Sequence, residues 1–250
     1  MNKATARKSF GRGALLRRWL LLVVLSGLGL QLYFVARVAM MRFVDPQSSA
    51  FERSQIVQIL KSDQSFRWRQ QWVPATRIHP SLSRAVIASE DDLFASHDGV
   101  QWQAIEKAWM RNEKAQARAS GNGNGKAPKV VGGSTITQQL AKNLFLSGER
   151  NFLRKGQELV ITLALETFLS KQRILEIYLN HVEWGKGVFG AQAAAQHYFS
   201  KPASQLNPWE SARLAVMLPR PKYFEKLPQS PYLAERAQVI QGRMASAVLP

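Results

Sequence analysis

The sequence predicts a mainly α protein in which one transmembrane helix precedes a helical domain. Three observations carry that reading. Residues 19–36, WLLLVVLSGLGLQLYFVA, hold no charge. Downstream, Thr135–Leu146, Lys155–Leu169 and Gln172–Val182 repeat apolar residues at three- and four-residue steps, the period of a helix with one buried face. No run alternates apolar and polar residues as a half-buried strand would, and no internal repeat is visible.

The uncharged run comes first. At a helical rise of about 1.5 Å per residue it spans roughly 27 Å, close to the thickness of a bilayer's hydrocarbon. Arg37 can snorkel, so the buried stretch continues through Met41. Trp19 and Tyr33 suit an interfacial belt. A cleaved signal peptide is the alternative. Its apolar core is shorter and ends at small residues, whereas this run is followed by Arg37-Val-Ala-Met-Met-Arg42. Lys3, Arg7, Lys8, Arg12, Arg17 and Arg18 precede the span, and the first acid is Asp45. That asymmetry predicts a cytoplasmic N-terminus, with everything from about residue 42 outside the membrane. The expected order is a basic tail (1–18), an anchor (19–41), a linker or membrane-proximal segment (42–79) and a domain (80–250).

The chain has 250 residues, 46% of them apolar, and a net charge of +17. That apolar content supports a packed core. Nucleic acid, an anionic membrane and a phosphorylated substrate could each answer the charge. An exported domain never meets the chromosome, so nucleic acid is set aside. Cysteine is absent, which excludes disulfides, thiolate metal sites and a Cys nucleophile.

Within the exported part, 45–79 is polar and mixed and reads as a connection packed on the domain. A helix is expected from Pro80 to about Asp91, since proline suits the first helical position. Asp98-Gly-Val-Gln101 resembles a capping signal before a helix bearing Ile105, Ala108 and Trp109. Residues 112–129 alternate Gly and Asn with cations and read as a mobile loop, either a substrate clamp or a surface insertion. Glycines at 185, 187 and 190 interrupt the helices before Ala191–Phe199. Asn207-Pro-Trp-Glu210 starts another helix, which ends at Pro219.

Three acids adjoin at Glu90, Asp91 and Asp92. Crowded like charges raise a carboxyl pKa, which suits a general base; otherwise such a helix end is merely solvated. Gly132-Gly-Ser-Thr-Ile-Thr-Gln-Gln139 gathers neutral donors at a helix start, more than one cap requires, and so suits an anionic or sugar ligand. Lys142 lies one turn beyond Gln138. Arg154 and Glu158 share a face, as a surface ion pair or as a phosphate clamp beside a second carboxylate.

Five ordered segments carry a resemblance: SEDDLFASHDG (89–99), GGSTITQQLAKNLFL (132–146), RKGQELVITLALE (154–166), KQRILEIYLN (171–180) and GKGVFGAQAAAQHYFSKPA (185–203). Together they resemble the motifs of the family 51 peptidoglycan glycosyltransferases, and the chain's length and anchor resemble the monofunctional biosynthetic transglycosylases among them. The resemblance implies a lysozyme-like glycosyltransferase domain with a small membrane-proximal lobe. It implies polymerisation of lipid II into β-1,4-linked glycan with inversion and release of undecaprenyl diphosphate. Glu90 matches the general base. Glu158 matches a second glutamate that positions the diphosphate directly or through a divalent metal, Mg or Mn. Lys142, Arg150, Arg154 and Lys155 match or adjoin phosphate-binding cations. Ser134, Thr135, Gln138 and Gln139 line the donor side, and Asp91, Phe94, His97 and Gly99 support the first motif. Glu166, Glu176 and Asn180 are expected in a buried polar network, and Tyr198 and Phe199 in the core. The family's last motif more often has glycine where Ser200 stands, and a left-handed backbone there would strain a serine.

Implied partners are lipid II, the growing glycan chain, the membrane and the proteins of cell-wall synthesis or division. No organic cofactor and no nucleic acid are expected. No Ser-x-x-Lys occurs, so transpeptidation is not expected. A lytic transglycosylase would have no diphosphate to hold, and the cations of 150–155 argue against it.

Overall fold

The computed structural model describes residues 12–62, 68–103, 106–107, 110–111, 113, 133–146 and 152–250. Most of the expected basic tail, Ile105, Ala108 and Trp109, most of the 112–129 loop, Gly132 and Arg150 lie outside the described residues.

The fold is mainly α, as expected. Helix α1 (Arg12–Met40) opens the chain. From Gly13 to Met40 it is long and apolar enough to cross a membrane. Its second half lies against the domain. Gln31 and Gln157 exchange amide hydrogen bonds at 2.7 and 3.0 Å. Phe34 meets Phe145 edge-on at 5.4 Å, and Val38 is fully buried.

The polar connection is more ordered than its composition implied. It holds α2 (Ala50–Ser62) and a short strand, β1 (Arg69–Gln70). Ser49 and Glu52 form a reciprocal cap at the start of α2, a signature hidden in mixed polar sequence.

Helix α3 (Pro80–Glu90) starts where proline placed it, and the His79 ring accepts from Ser81 N–H. Its last turn delivers Glu90, with Asp91 as the C-cap. Helix α4 (Ile136–Phe145) opens with a capping box between Thr135 and Gln138. Then come α5 (Phe152–Phe168) and α6 (Lys171–His181). Strands β2 (Glu183–Gly185) and β3 (Val188–Phe189) form a bulged antiparallel pair, and β1 adds to β3 in parallel, giving the order β1-β3-β2. These strands are too short for alternation to mark them.

Gly190 takes φ +81°, and a Cβ there would sit 2.6 Å from the Asn180 carbonyl oxygen, so only glycine closes this turn into α7 (Ala191–Phe199). Ser200 caps α7 at φ 54°, ψ 33°, the left-handed conformation that the motif comparison pointed to. Helices α8 (Pro208–Met217), α9 (Pro221–Phe224) and α10 (Pro231–Arg243) complete the domain. Helix α8 has the expected Asn207–Glu210 capping box and packs between α3 and α10. Trp184, Tyr178 and Phe94 are the largest fully buried side chains.

The expected polar network is present. Asn180 is buried and bonds both the N–H and the carbonyl of Val73, while Glu176 accepts from Ala75 N–H and Arg173. Glu166 accepts from Thr137 and Lys171. Tyr198 and Phe199 pack against the core as expected, at its margin. Both are half-buried and line a cavity of about 370 Å³ with Trp209 and Phe224. The Tyr198 hydroxyl donates to the Trp184 carbonyl, and that polar anchor holds the ring at the margin.

Candidate active site

Two cavities adjoin at the start of α4. The first, about 390 Å³, is lined by Ser89, Glu90, Asp91, Asp92, Leu93, Gln101, Gly133, Ser134 and Thr135. The second, about 320 Å³, is lined by Phe51, Ser134, Gln138, Gln139, Lys142, Asn143, Leu146, Arg154, Lys155 and Glu158. Ser134 belongs to both. Gln139 reaches from the second cavity to Glu90. Glu90 and Glu158 therefore line adjacent cavities that share Ser134 in their walls.

Glu90 ends α3 half-buried. Its carboxyl pKa is raised above the ordinary value of 4.5, chiefly by burial. Hydrogen bonds from Gln139 and Ser89 oppose the rise, and the Asp91 charge is the smallest contribution. The expectation was right in direction, but burial rather than crowded charge is the main cause. Gln139 Nε2 donates to Glu90 Oε2 at 3.0 Å. Among the described residues, Glu90 Oε1 has only the longer Ser89 contact at 3.4 Å, which leaves it able to take a proton.

Tyr178 sets this arrangement. Its hydroxyl donates to Gln139 Oε1 at 2.9 Å. Burial first, then the charges of Glu90 and Asp91, push its pKa well up, so it stays a donor. The Gln139 oxygen must face it, and the amide nitrogen must face Glu90. Nothing local in the sequence marks Tyr178, which reads as one more large residue on a helical face.

Asp91, beside Glu90, is a structural clasp. It is buried and accepts from His97 Nε2 at 2.9 Å, from Ile136 N–H at 2.9 Å and from Gln101. Gly99 N–H donates to His97 Nδ1, so the ring proton lies on Nε2, facing the carboxylate. Gln101 was expected to cap its own helix with Asp98; its amide goes to Asp91 instead. Phe94 is fully buried beneath Lys171, whose ammonium lies 4.7 Å from the ring centre. Gly99 has φ +85°, and its carbonyl accepts from Thr135 at 2.6 Å. Asp92 is exposed and pairs with Arg243.

The donors at the start of α4 divide. Ser134 and Gln139 face the cavities. The Thr135 hydroxyl and the Gln138 amide are buried in the capping box. Gln138 contributes to the cavity wall while its amide oxygen accepts from Thr135 N–H in the cap; the multiplicity of polar residues serves both helix and cavity.

Glu158 is not in a surface ion pair. It is 3% exposed and accepts from Arg154 Nη1 at 2.9 Å and from Lys155. Lys142 is exposed on the facing helix and lines the same cavity. Among the described residues, no three His, Cys, Asp or Glu side chains gather as metal ligands. Both oxygens of Glu158 face cations, so this donor set suits an anion and does not fit Mg or Mn at Glu158. A half-buried carboxylate with a raised pKa thus adjoins a cavity lined by three cations, an arrangement able to take a proton from one group while holding an anionic one.

Comparison with known proteins agrees with this chemistry. The transglycosylase family model matches residues 55–245. A biosynthetic peptidoglycan transglycosylase of Burkholderia thailandensis is 54% identical over 223 residues, 89% of this chain and 83% of that protein. Its namesake in Burkholderia pseudomallei is 54% identical over 93% of this chain and 88% of its own length. Another in Herminiimonas arsenicoxydans is 48% identical over 93% and 96%. With its mainly α, lysozyme-like domain and motifs matched over most of its length, the chain belongs to the transglycosylase family.

Proposed function

We propose that this membrane-anchored peptidoglycan glycosyltransferase polymerises lipid II into β-1,4-linked glycan strands with release of undecaprenyl diphosphate, and has no transpeptidase activity. One observation carries the reading: Glu90, its pKa raised by burial, lines a cavity that shares Ser134 with an adjacent one lined by Lys142, Arg154 and Lys155.

The acceptor is the 4-hydroxyl of a lipid-linked disaccharide. Its oxygen attacks the anomeric carbon of the growing chain while Glu90 Oε1 takes its proton. The bond from that carbon to the diphosphate breaks, and the electron pair leaves with the diphosphate. Attack opposite the leaving group turns an α-linked diphosphate into a β bond. Lys142, Arg154 and Lys155 offset the charge gathering on the diphosphate. Glu158 holds Arg154 and Lys155 in the wall, which supports a positioning role for this second carboxylate. The reaction needs no organic cofactor.

Helix α1 anchors the chain in the inner membrane, with the N-terminus cytoplasmic and the catalytic domain periplasmic. Lipid II, the growing glycan and the bilayer are the partners, together with proteins of cell-wall synthesis or division, and nucleic acid is not among them. The test is incubation of the purified full chain with labelled lipid II and, separately, with intact sacculi. Polymer from the first supports the reading. Soluble fragments from the second, without polymer from the first, would make the chain a lytic enzyme.

A further inference from the structure

Phe51 stands apart in the cation-lined cavity. The other walls are amides, a hydroxyl, cations and Glu158, with Leu146 the one other apolar side chain among the described lining residues. Phe51 also precedes residue 55, where the match to the family model begins. This part of the wall therefore comes from the segment that leads out of the anchor. The ring is half-buried and rests against Phe189, with centroids 6.2 Å apart.

Its neighbour Glu52 is fully buried. Glu52 Oε2 accepts from Ser49 N–H at 2.7 Å, and Oε1 accepts from Gln70 Nε2 at 2.9 Å. Oε1 also faces His181 Nδ1 at 2.8 Å, and His181 Nε2 faces the Pro46 carbonyl at 3.1 Å. A carbonyl only accepts, so Nε2 carries a hydrogen. The Glu52 carboxyl and the His181 ring are in hydrogen-bond contact and both sealed from water. Breaking such a contact strands a buried polar group, so it locks α2, and with it Phe51, onto the end of α6.

We propose that Phe51 is a specificity-determining residue that receives the first hydrocarbon segment of a polyprenyl diphosphate, and that Glu52 and His181 are positioning residues that hold it there. The inference rests on reading this cavity as the diphosphate site. Cations alone satisfy a bare diphosphate, to which a phenyl ring adds nothing. A diphosphate carrying an isoprenoid gains from apolar surface beside the charges, and Phe51 with Leu146 supplies it.

Binding of inorganic diphosphate and of farnesyl diphosphate to the full chain in detergent, measured by calorimetry, tests this. The parent chain should bind farnesyl diphosphate more tightly. Phe51→Ala should weaken farnesyl diphosphate roughly five- to tenfold and leave inorganic diphosphate unchanged. Phe51→Leu should recover most of the loss. Glu52→Gln should reproduce the Phe51→Ala pattern with a lower melting temperature. Equal loss of both probes in Phe51→Ala, or loss of neither, overturns the role of Phe51. Failure of the parent chain to bind either probe overturns the diphosphate reading of the cavity, and the inference with it.

Discussion

Gln139 donates to Glu90 at 3.0 Å, and its orientation is imposed from behind by Tyr178 at 2.9 Å. The bond favours the ionised form of Glu90 and so opposes the rise that burial causes. Removing the donor with Gln139→Leu should raise the Glu90 pKa further. Since only the ionised form accepts a proton, the acidic limb of kcat/KM against pH should move to higher pH in this variant. Tyr178→Phe should move it the same way by less. A limb that stays in place or moves down would show that Gln139 does not tune the base.

Glu90→Gln should abolish polymerisation of lipid II while the domain stays folded. The sign of the stability change follows from the raised pKa. Burial of an ionised Glu90 costs stability increasingly as pH rises from the ordinary carboxyl value through the folded one. The neutral glutamine avoids that cost, so the variant should melt at or above the parent temperature near neutral pH, and the gap should close in acid. Turnover at the parent rate would remove Glu90 from the role of base.

Glu183 supplies a separate pH response. Burial lifts its pKa from 4.5 to about 7, against the opposing influence of Lys222. A raised carboxyl pKa favours the folded state below 4.5 and loses that advantage as pH rises to about 7. Glu183→Gln should flatten this fall in unfolding free energy, as followed by denaturant titration at several pH values. An unchanged slope would place the pH dependence elsewhere.

Gly99 and Ser200 make opposite backbone predictions. At Gly99, with φ +85°, a Cβ would lie 2.8 Å from Glu166 Cγ and 2.9 Å from Thr162 Cγ2. Gly99→Ala should cost about 2 kcal/mol or more, from strain and overpacking together. Ser200 already occupies φ 54° with a side chain. Ser200→Gly should stabilise the domain by about 0.5–1 kcal/mol, the left-handed strain relieved less the added freedom of the unfolded chain. Melting temperatures of the two variants should move apart, and a shared direction would contradict the backbone argument.

Local signals in the sequence were read well. Pro80 and Asn207 marked real helix starts because a cap needs only neighbouring residues. The Asp91–His97 contact is local as well, since six residues separate the partners. What escaped notice depends on distant partners. Helix α2 has little apolar periodicity, and its seat comes from His181, 129 positions away from Glu52. Tyr178 meets Gln139 across 39 positions. The burial that raises Glu90 could not be read from its acidic neighbours, because it is supplied by the packing of whole helices. Gln138 lines the cavity, and its oxygen also serves its own helix start.

The anchor's docking has a consequence for how the enzyme works. Gln31 and Phe34 grip α5 and α4, the two helices that carry the cations and Gln139. A slack tether would let the catalytic groove tumble and change height above the bilayer between cycles. A braced one holds the groove at a constant standoff and tilt. Under the proposed function, each lipid-linked building block would then need only a two-dimensional search along the leaflet.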